Sequence, residues 1–198
     1  MKLARAAVAV MLAAGLSACL GPVPEVPEDR FYRLGEAAAP AGLPSLRLGE
    51  TVAVARPLSD GLHTERAILY AQAQEPQRIM RHHYDLWADS PPTLIQDHLV
   101  AFLRHAEVAE RVVRSDSPFG SGLLIEPRLQ RFERVLSERG DAVMVALEFT
   151  VRGEGEPMLT GYEVRLPVDE TDMYAAVKAF EAALIEIYSR LLHDLAVR

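Results

Sequence analysis

Few side chains in this sequence stand in arrangements that chemistry needs. Its single cysteine, Cys19, has no second cysteine to pair with, so it is a small buried residue, a reactive thiol or a point of covalent attachment. His82-His83-Tyr84-Asp85 sets two imidazoles beside a carboxylate, a set that invites a metal. On a strand, however, neighbouring side chains point to opposite faces, so His82 and His83 cannot chelate one ion. A ligand set would have to combine His83 and Asp85 with His63 from elsewhere, at no fixed spacing. Glu126, Glu133 and Glu148 fall among arginines on predicted strands, which suits cross-strand ion pairs better than a catalytic carboxylate pair. Ser117 to Ser121 reads as a turn, not an activated nucleophile. No G-x-S-x-G elbow, P-loop, G-x-G-x-x-G or H-E-x-x-H occurs. No catalytic residue and no metal ligand is therefore assigned, and an enzyme is not expected.

The residues around Cys19 choose among its three roles. Lys2 and Arg5 make a positive start, Ala6 to Leu16 is almost entirely apolar, and Leu16-Ser17-Ala18-Cys19 follows. Basic, apolar and then small residues is the layout of a secretory signal. The apolar run is too short to span a hydrocarbon core of about 30 Å comfortably. Leu-Ser-Ala-Cys also resembles the bacterial lipobox, in which cleavage falls between Ala18 and Cys19 and the thiol becomes acylated. An ordinary secretory cut followed by a chance cysteine is the alternative. Leu20, where Asp tends to hold such lipoproteins in the inner membrane, points to the outer membrane. Several acyl chains, each contributing about 0.8 kcal/mol per buried CH₂, would anchor the chain stably. That covalent lipid on Cys19 is the only prosthetic group expected.

Composition narrows the class. Removing residues 1–18 takes away Lys2 and Arg5 and no acids, leaving 19 basic against 28 acidic residues and a net charge of −9. Such a chain is a poor partner for nucleic acid. With 49% hydrophobic residues it is globular, and its length suits one domain. No second run is apolar enough for a membrane span. The expected division is 1–18 signal peptide, 19–50 lipidated cysteine and Pro-rich tether, and 51–198 a single domain. The tether is read from Pro22, Pro24, Pro27, Pro40 and Pro44, with Phe31-Tyr32-Arg33-Leu34 as a short patch able to dock as an edge strand.

Within the domain, Thr51 to Ala55, Ala67 to Ala71 and Arg78 to Trp87 read as strands, with Gly61 and Gln72 to Gln77 as turns. Ser90 is placed to cap a helix with Pro91 at its first position. Leu94, Ile95, Leu99, Phe102 and Leu103 recur at helical spacing until about His105. Val108 to Val113 is a short strand. Leu123 to Leu136 is a long one whose alternation slips between Pro127 and Phe132, which predicts a bulge. Val143 to Val151 and Met158 to Val168 alternate cleanly, and short turns make these three strands antiparallel neighbours. Asp169 is predicted to cap a last helix, with Asp172 in its first turn, and apolar residues from Met173 to Leu195 form its buried stripe. The expected fold is an α/β (α+β) sandwich: a mixed, largely antiparallel sheet packed by two main helices. Trp87, at a strand-to-helix corner, is either a packing anchor or an exposed partner-binding residue.

Taken in order, the lipobox, Phe31-Tyr32-Arg33-Leu34, the Val52–Val54 strand running into Arg56-Pro57, and Tyr84-Asp85-Leu86-Trp87-Ala88-Asp89-Ser90-Pro91-Pro92 resemble the ABC-type transport auxiliary lipoprotein (PqiC-like) family. The resemblance covers the whole mature chain. It implies an α/β fold and a non-enzymatic accessory on the periplasmic face of the outer membrane of a Gram-negative bacterium. The implied partners are an MCE-domain periplasmic protein and ABC transporter subunits of an intermembrane lipid transport system. A homo-oligomeric ring would match a ring-shaped MCE partner. A lipoprotein that itself holds a lipid or small ligand, or one that assembles another envelope machine, stays open at this point.

Overall fold

The structure, a computed structural model, describes residues 27–117, 122–168 and 172–197. Among these residues, eight strands form one open sheet. In chain order they are β1 Arg30–Tyr32, β2 Thr51–Val54, β3 Ala67–Gln72, β4 Glu75–Trp87, β5 Arg111–Arg114, β6 Leu123–Leu136, β7 Ala142–Arg152 and β8 Met158–Pro167. Helices α1 Pro91–His105 and α2 Met173–Ala196 pack on it, and a 3-10 turn covers Gly61–Thr64. Cys19 and Ala18, like Asp169 and Ser121, lie outside the described residues.

β6 organises the sheet. One of its edges pairs with β7 along most of its length. The other is shared end to end, with β2 on Leu123 to Ile125 and β3 on Glu133 to Leu136. The long ladders β3–β4, β6–β7 and β7–β8 are antiparallel, and the short ones β1–β4, β2–β5, β2–β6 and β3–β6 are parallel. The sheet is thus mixed and mostly antiparallel, an α+β fold as expected.

The predicted slip in β6 is a bulge at Gln130, which pairs with no residue while Leu129 faces Leu147 and Arg131 faces Ala146. Because strand side chains alternate, one extra residue exchanges the faces. Ile125 and Leu129 point into the core before the bulge, and Phe132 does so after it. The turn to β7 is made by Gly140, whose φ of +114° is a conformation glycine adopts without penalty.

α2 is the longest apolar element. Val177, Phe180, Leu184, Ile187, Tyr188 and Leu191 are buried at three- and four-residue steps, one face of a 3.6-residue helix. They cover β7 and β8. α1 lies on β2 and β5 and buries Ile95, Leu99, Phe102 and Leu103. Between the layers, Trp87, Phe132 and Phe180 form an aromatic cluster with ring centroids 4.4 to 5.5 Å apart.

Several expectations need correction. β1 takes the edge place expected for the Phe31–Leu34 patch, but the stretch behind it is no free tether: Ala37 is 3% exposed, and Leu34, Leu43, Leu46 and Leu48 pack against the core. Apolar side chains spaced between the prolines hold this irregular stretch down. β4 begins at Glu75 rather than Arg78, because β3 and β4 form a tight hairpin across Ala73 and Gln74. β5 starts later than Val108, at Arg111. The α2 cap is Asp172, not Asp169: its Oδ1 accepts from the Ala175 backbone N–H at 2.7 Å. Ser90 does sit at the α1 N-cap with extended backbone, but its side chain makes no bond to the helix backbone. Its Oγ is occupied by Arg56 Nη2 at 2.8 Å and by Thr93 Oγ1 at 3.1 Å.

Candidate functional site

The stretches that stood apart in the sequence converge on one corner. β1 runs parallel to β4, setting Arg30 beside Asp85, Phe31 beside Leu86 and Tyr32 beside Trp87. Arg30 is held to Asp85 at 2.9 and 3.0 Å, a two-pronged contact on a carboxylate that is 8% exposed. Tyr32 donates its hydroxyl proton to the same carboxylate at 3.1 Å. Burial and this bond raise the Tyr32 pKa above the ordinary phenol value. The Ala88 N–H donates to the Tyr32 carbonyl and the Trp87 N–H to the Arg66 carbonyl, both at 2.6 Å. The Arg66 Nε returns a bond to the Trp87 carbonyl at 3.0 Å, and Arg56 reaches across to Ser90. Gln96 of α1 donates to the Val54 carbonyl at the end of β2. The corner therefore ties the start of the chain, β2, β4 and α1 into one unit.

Trp87 stands at the centre of that unit and is 1% exposed. Of the two readings open for it, a ring so buried fits the packing anchor and presents no surface to a partner. Its position at the strand end, where the chain must turn into α1, puts its side chain between β6 and α2.

The other chemically suggestive groups disperse. His82 faces Tyr70, with ring centroids 4.7 Å apart, and lies 3.7 Å from Asp85. Burial lowers its pKa more than Asp85 raises it. His63 lies 3.6 Å from Glu133 instead of joining His83 and Asp85. Among the described residues no three His, Cys, Asp or Glu side chains are placed to hold a metal ion. Glu133 is a buried carboxylate that accepts two bonds from Arg131, at 2.7 and 2.8 Å. Burial pushes its pKa up, but His63 and Arg131 together hold it below the ordinary carboxylate value. Glu126 pairs with Arg152 across the β6–β7 ladder at 2.6 Å, and Glu148 stands opposite Arg128. Glu126 and Glu148 thus take part in cross-strand electrostatics, while Glu133 is paired within its own strand and by His63 of the 3-10 turn. Sequence reasoning missed His98, which is 4% exposed on α1 and packs 5.7 Å from the Tyr188 ring. Its place at helical spacing among apolar neighbours was the available signal.

The converged corner and the fold can be set beside known proteins. The sequence model of the family described as ABC-type transport auxiliary lipoprotein component matches residues 32–191, which include all of these stretches except the lipobox and Phe31. The chain belongs to that family. A protein from Xanthomonas campestris assigned to the DUF330 family has a solved structure similar to this one, with a TM-score of 0.69 at 18% identity, covering 82% of this chain and 92% of that one. A second solved structure, of an uncharacterized protein, has a TM-score of 0.69 at 15% identity and covers 85% of this chain and 99% of its own. At such identities the likeness speaks for the fold alone. Among curated proteins none matches the chain. Among the described residues no helix of this family member is long and apolar enough to cross a membrane.

Proposed function

We propose that this auxiliary lipoprotein is a non-enzymatic accessory of an MCE/ABC-type intermembrane lipid transport system. Acylated Cys19 anchors it on the periplasmic face of the outer membrane, where it docks the MCE assembly. The family match over residues 32–191 carries this reading, together with a lipobox ending at Cys19 and Leu20 after it. A docking role is favoured over an internal ligand cavity by one observation. The space between sheet and helices, where an apolar ligand would be held, is filled by Trp87, Phe132, Phe149 and Phe180, each at 1% exposure or less.

The test is crosslinking of the tagged, lipidated protein in intact cells, followed by mass spectrometry of what is captured. Recovery of an MCE-domain protein with ABC subunits is the expected result. Recovery of other envelope machinery, or of lipid alone, overturns the transport role while leaving the anchor in place. The anchor has its own test. Cys19→Ala is expected to remove the protein from the outer-membrane fraction, and a variant still found there would sink the lipidation assignment.

A further inference from the structure

Two large aromatic side chains are exposed beside the point where the chain enters the fold. Phe31 on β1 is 56% exposed and Tyr174 in the first turn of α2 is 63% exposed. Both line one shallow depression of about 370 Å³, whose lining also includes Arg33, Gly35, Val177 and Lys178. On the other side of Tyr174 a second depression continues over Leu166, Pro167, Ala175 and Ala179. The result is a largely apolar strip carrying two rings, with Arg33 and the Lys178–Glu181 ion pair at its margin. Lys178 lies over the Tyr174 ring at 5.7 Å and pairs with Glu181 at 2.9 Å.

The chain itself sets what can lie against this strip. Phe31 follows the first described residue, Pro27, by four positions, and Pro27 follows Cys19 by eight. Eight peptide units span at most about 28 Å even fully extended. A domain of this size is roughly 40 Å across, so the tether is shorter than the domain it holds. An acylated Cys19 therefore keeps the β1 corner near the bilayer and leaves the far end of the sheet away from it. At that distance the lipid surface is present at high effective concentration, so weak contacts suffice.

We propose that the strip formed by Phe31, Tyr174, Leu166 and Pro167 rests on the headgroup layer of the membrane that holds Cys19, fixing the orientation of the whole domain. This rests on the anchor reading given above. Aromatic rings favour the membrane–water interface, and flanking Arg and Lys extend to phosphates while their stems stay in apolar surroundings. The same corner exposes Glu28, Asp29 and Glu36, so it is no polybasic patch for strongly anionic lipid. The layer it fits is zwitterionic phospholipid.

The test uses the full lipidated protein in vesicles of phosphatidylethanolamine and phosphatidylcholine whose acyl chains carry bromine near the glycerol. Three single variants are compared: Phe31→Trp, Tyr174→Trp, and Leu159→Trp at the opposite end of β8. Buried Trp87 contributes the same background to each. The expected result is loss of emission with a blue shift for the first two and unchanged emission for the third. Equal quenching at all three positions, or none at any while the protein floats with the vesicles, overturns the proposal. So does a Phe31→Trp or Tyr174→Trp signal that responds to a protein partner and not to vesicles. Protein that neither floats nor carries acyl mass shows that the anchor reading itself has failed, and the docking proposal falls with it.

Discussion

His98 is a basic side chain placed where a proton is unwelcome. It is 4% exposed, and neither ring nitrogen has a hydrogen-bond partner among the described residues. Burial lowers its pKa from 6.5 to about 4, against a small opposing pull from Glu181. The unfolded chain takes up the proton near pH 6.5 and the folded one only near pH 4. Stability is therefore complete above pH 6.5 and falls as the pH drops through that window, by about 3 kcal/mol in all. His98→Leu is expected to flatten this dependence. At pH 7.5 the variant should lie within about 1 kcal/mol of the parent, since it removes two unsatisfied buried atoms. Denaturant unfolding at pH 7.5 and 4.5 checks it, and parallel losses in parent and variant would contradict the assignment. Glu133 acts in a lower window. Its depressed pKa means its contribution is present above the ordinary carboxylate value and disappears as the pH falls below it.

At the scale of elements, β6 and the corner around Trp87 decide the architecture. Trp87 touches Phe132 of β6 and Phe180 of α2, so one side chain joins β4, the organising strand and the longest helix. Trp87→Ala is expected to cost roughly 3–5 kcal/mol, read as a lowered denaturant midpoint. An unchanged midpoint would mean the ring is not the anchor its burial indicates. The bulge makes a sharper claim. Deleting Gln130 would turn one half of β6 inside out and leave no cooperative unfolding transition. Gln130→Ala, on an exposed side chain, should change stability by no more than about 0.5 kcal/mol. The bulge was legible in the sequence because side-chain period reports directly on strand faces. The clean alternation in β7 and β8 and the stripe on α2 were legible for the same reason. The parallel pairing of β1, β2 and β5 was not, because short strands carry no signal of which neighbour they meet. Nor was the Ser90 side chain's preference for Arg56, since the competing donor lies 34 positions away. His63 and Asp85, which a metal set would have had to combine, each meet a charged partner that only the fold brings near. The Phe31–Tyr174 strip joins residues 143 positions apart, beyond any local pattern.

For the whole molecule, the position of the boundary between tether and domain governs how far the anchored body can stray. Residues 30–50 contribute β1, the buried Ala37, and Leu34, Leu43, Leu46 and Leu48 against the core. Gly35 adds a backbone N–H bond to Glu181 of α2, and the Leu48 N–H donates to the Val108 carbonyl at 2.7 Å. This segment is a belt laid along the two helices, irregular in conformation but fixed at many points, with the Ala39 N–H donating to His105 Nδ1 at 3.3 Å as well. Removing residues 1–26, the proposed signal peptide and the anchored end of the tether, should leave the melting temperature unchanged. Removing residues 1–50 strips four partly buried leucines, one buried alanine and an edge strand, a loss of about 4 kcal/mol or more by apolar area alone. For a chain of this length that corresponds to a fall of roughly 10 °C or more in Tm. Scanning calorimetry of the two truncations checks the claim. Equal melting temperatures would return residues 30–50 to the tether, lengthen the leash from eight peptide units to 31, and remove the geometric reason for any one face to meet the membrane.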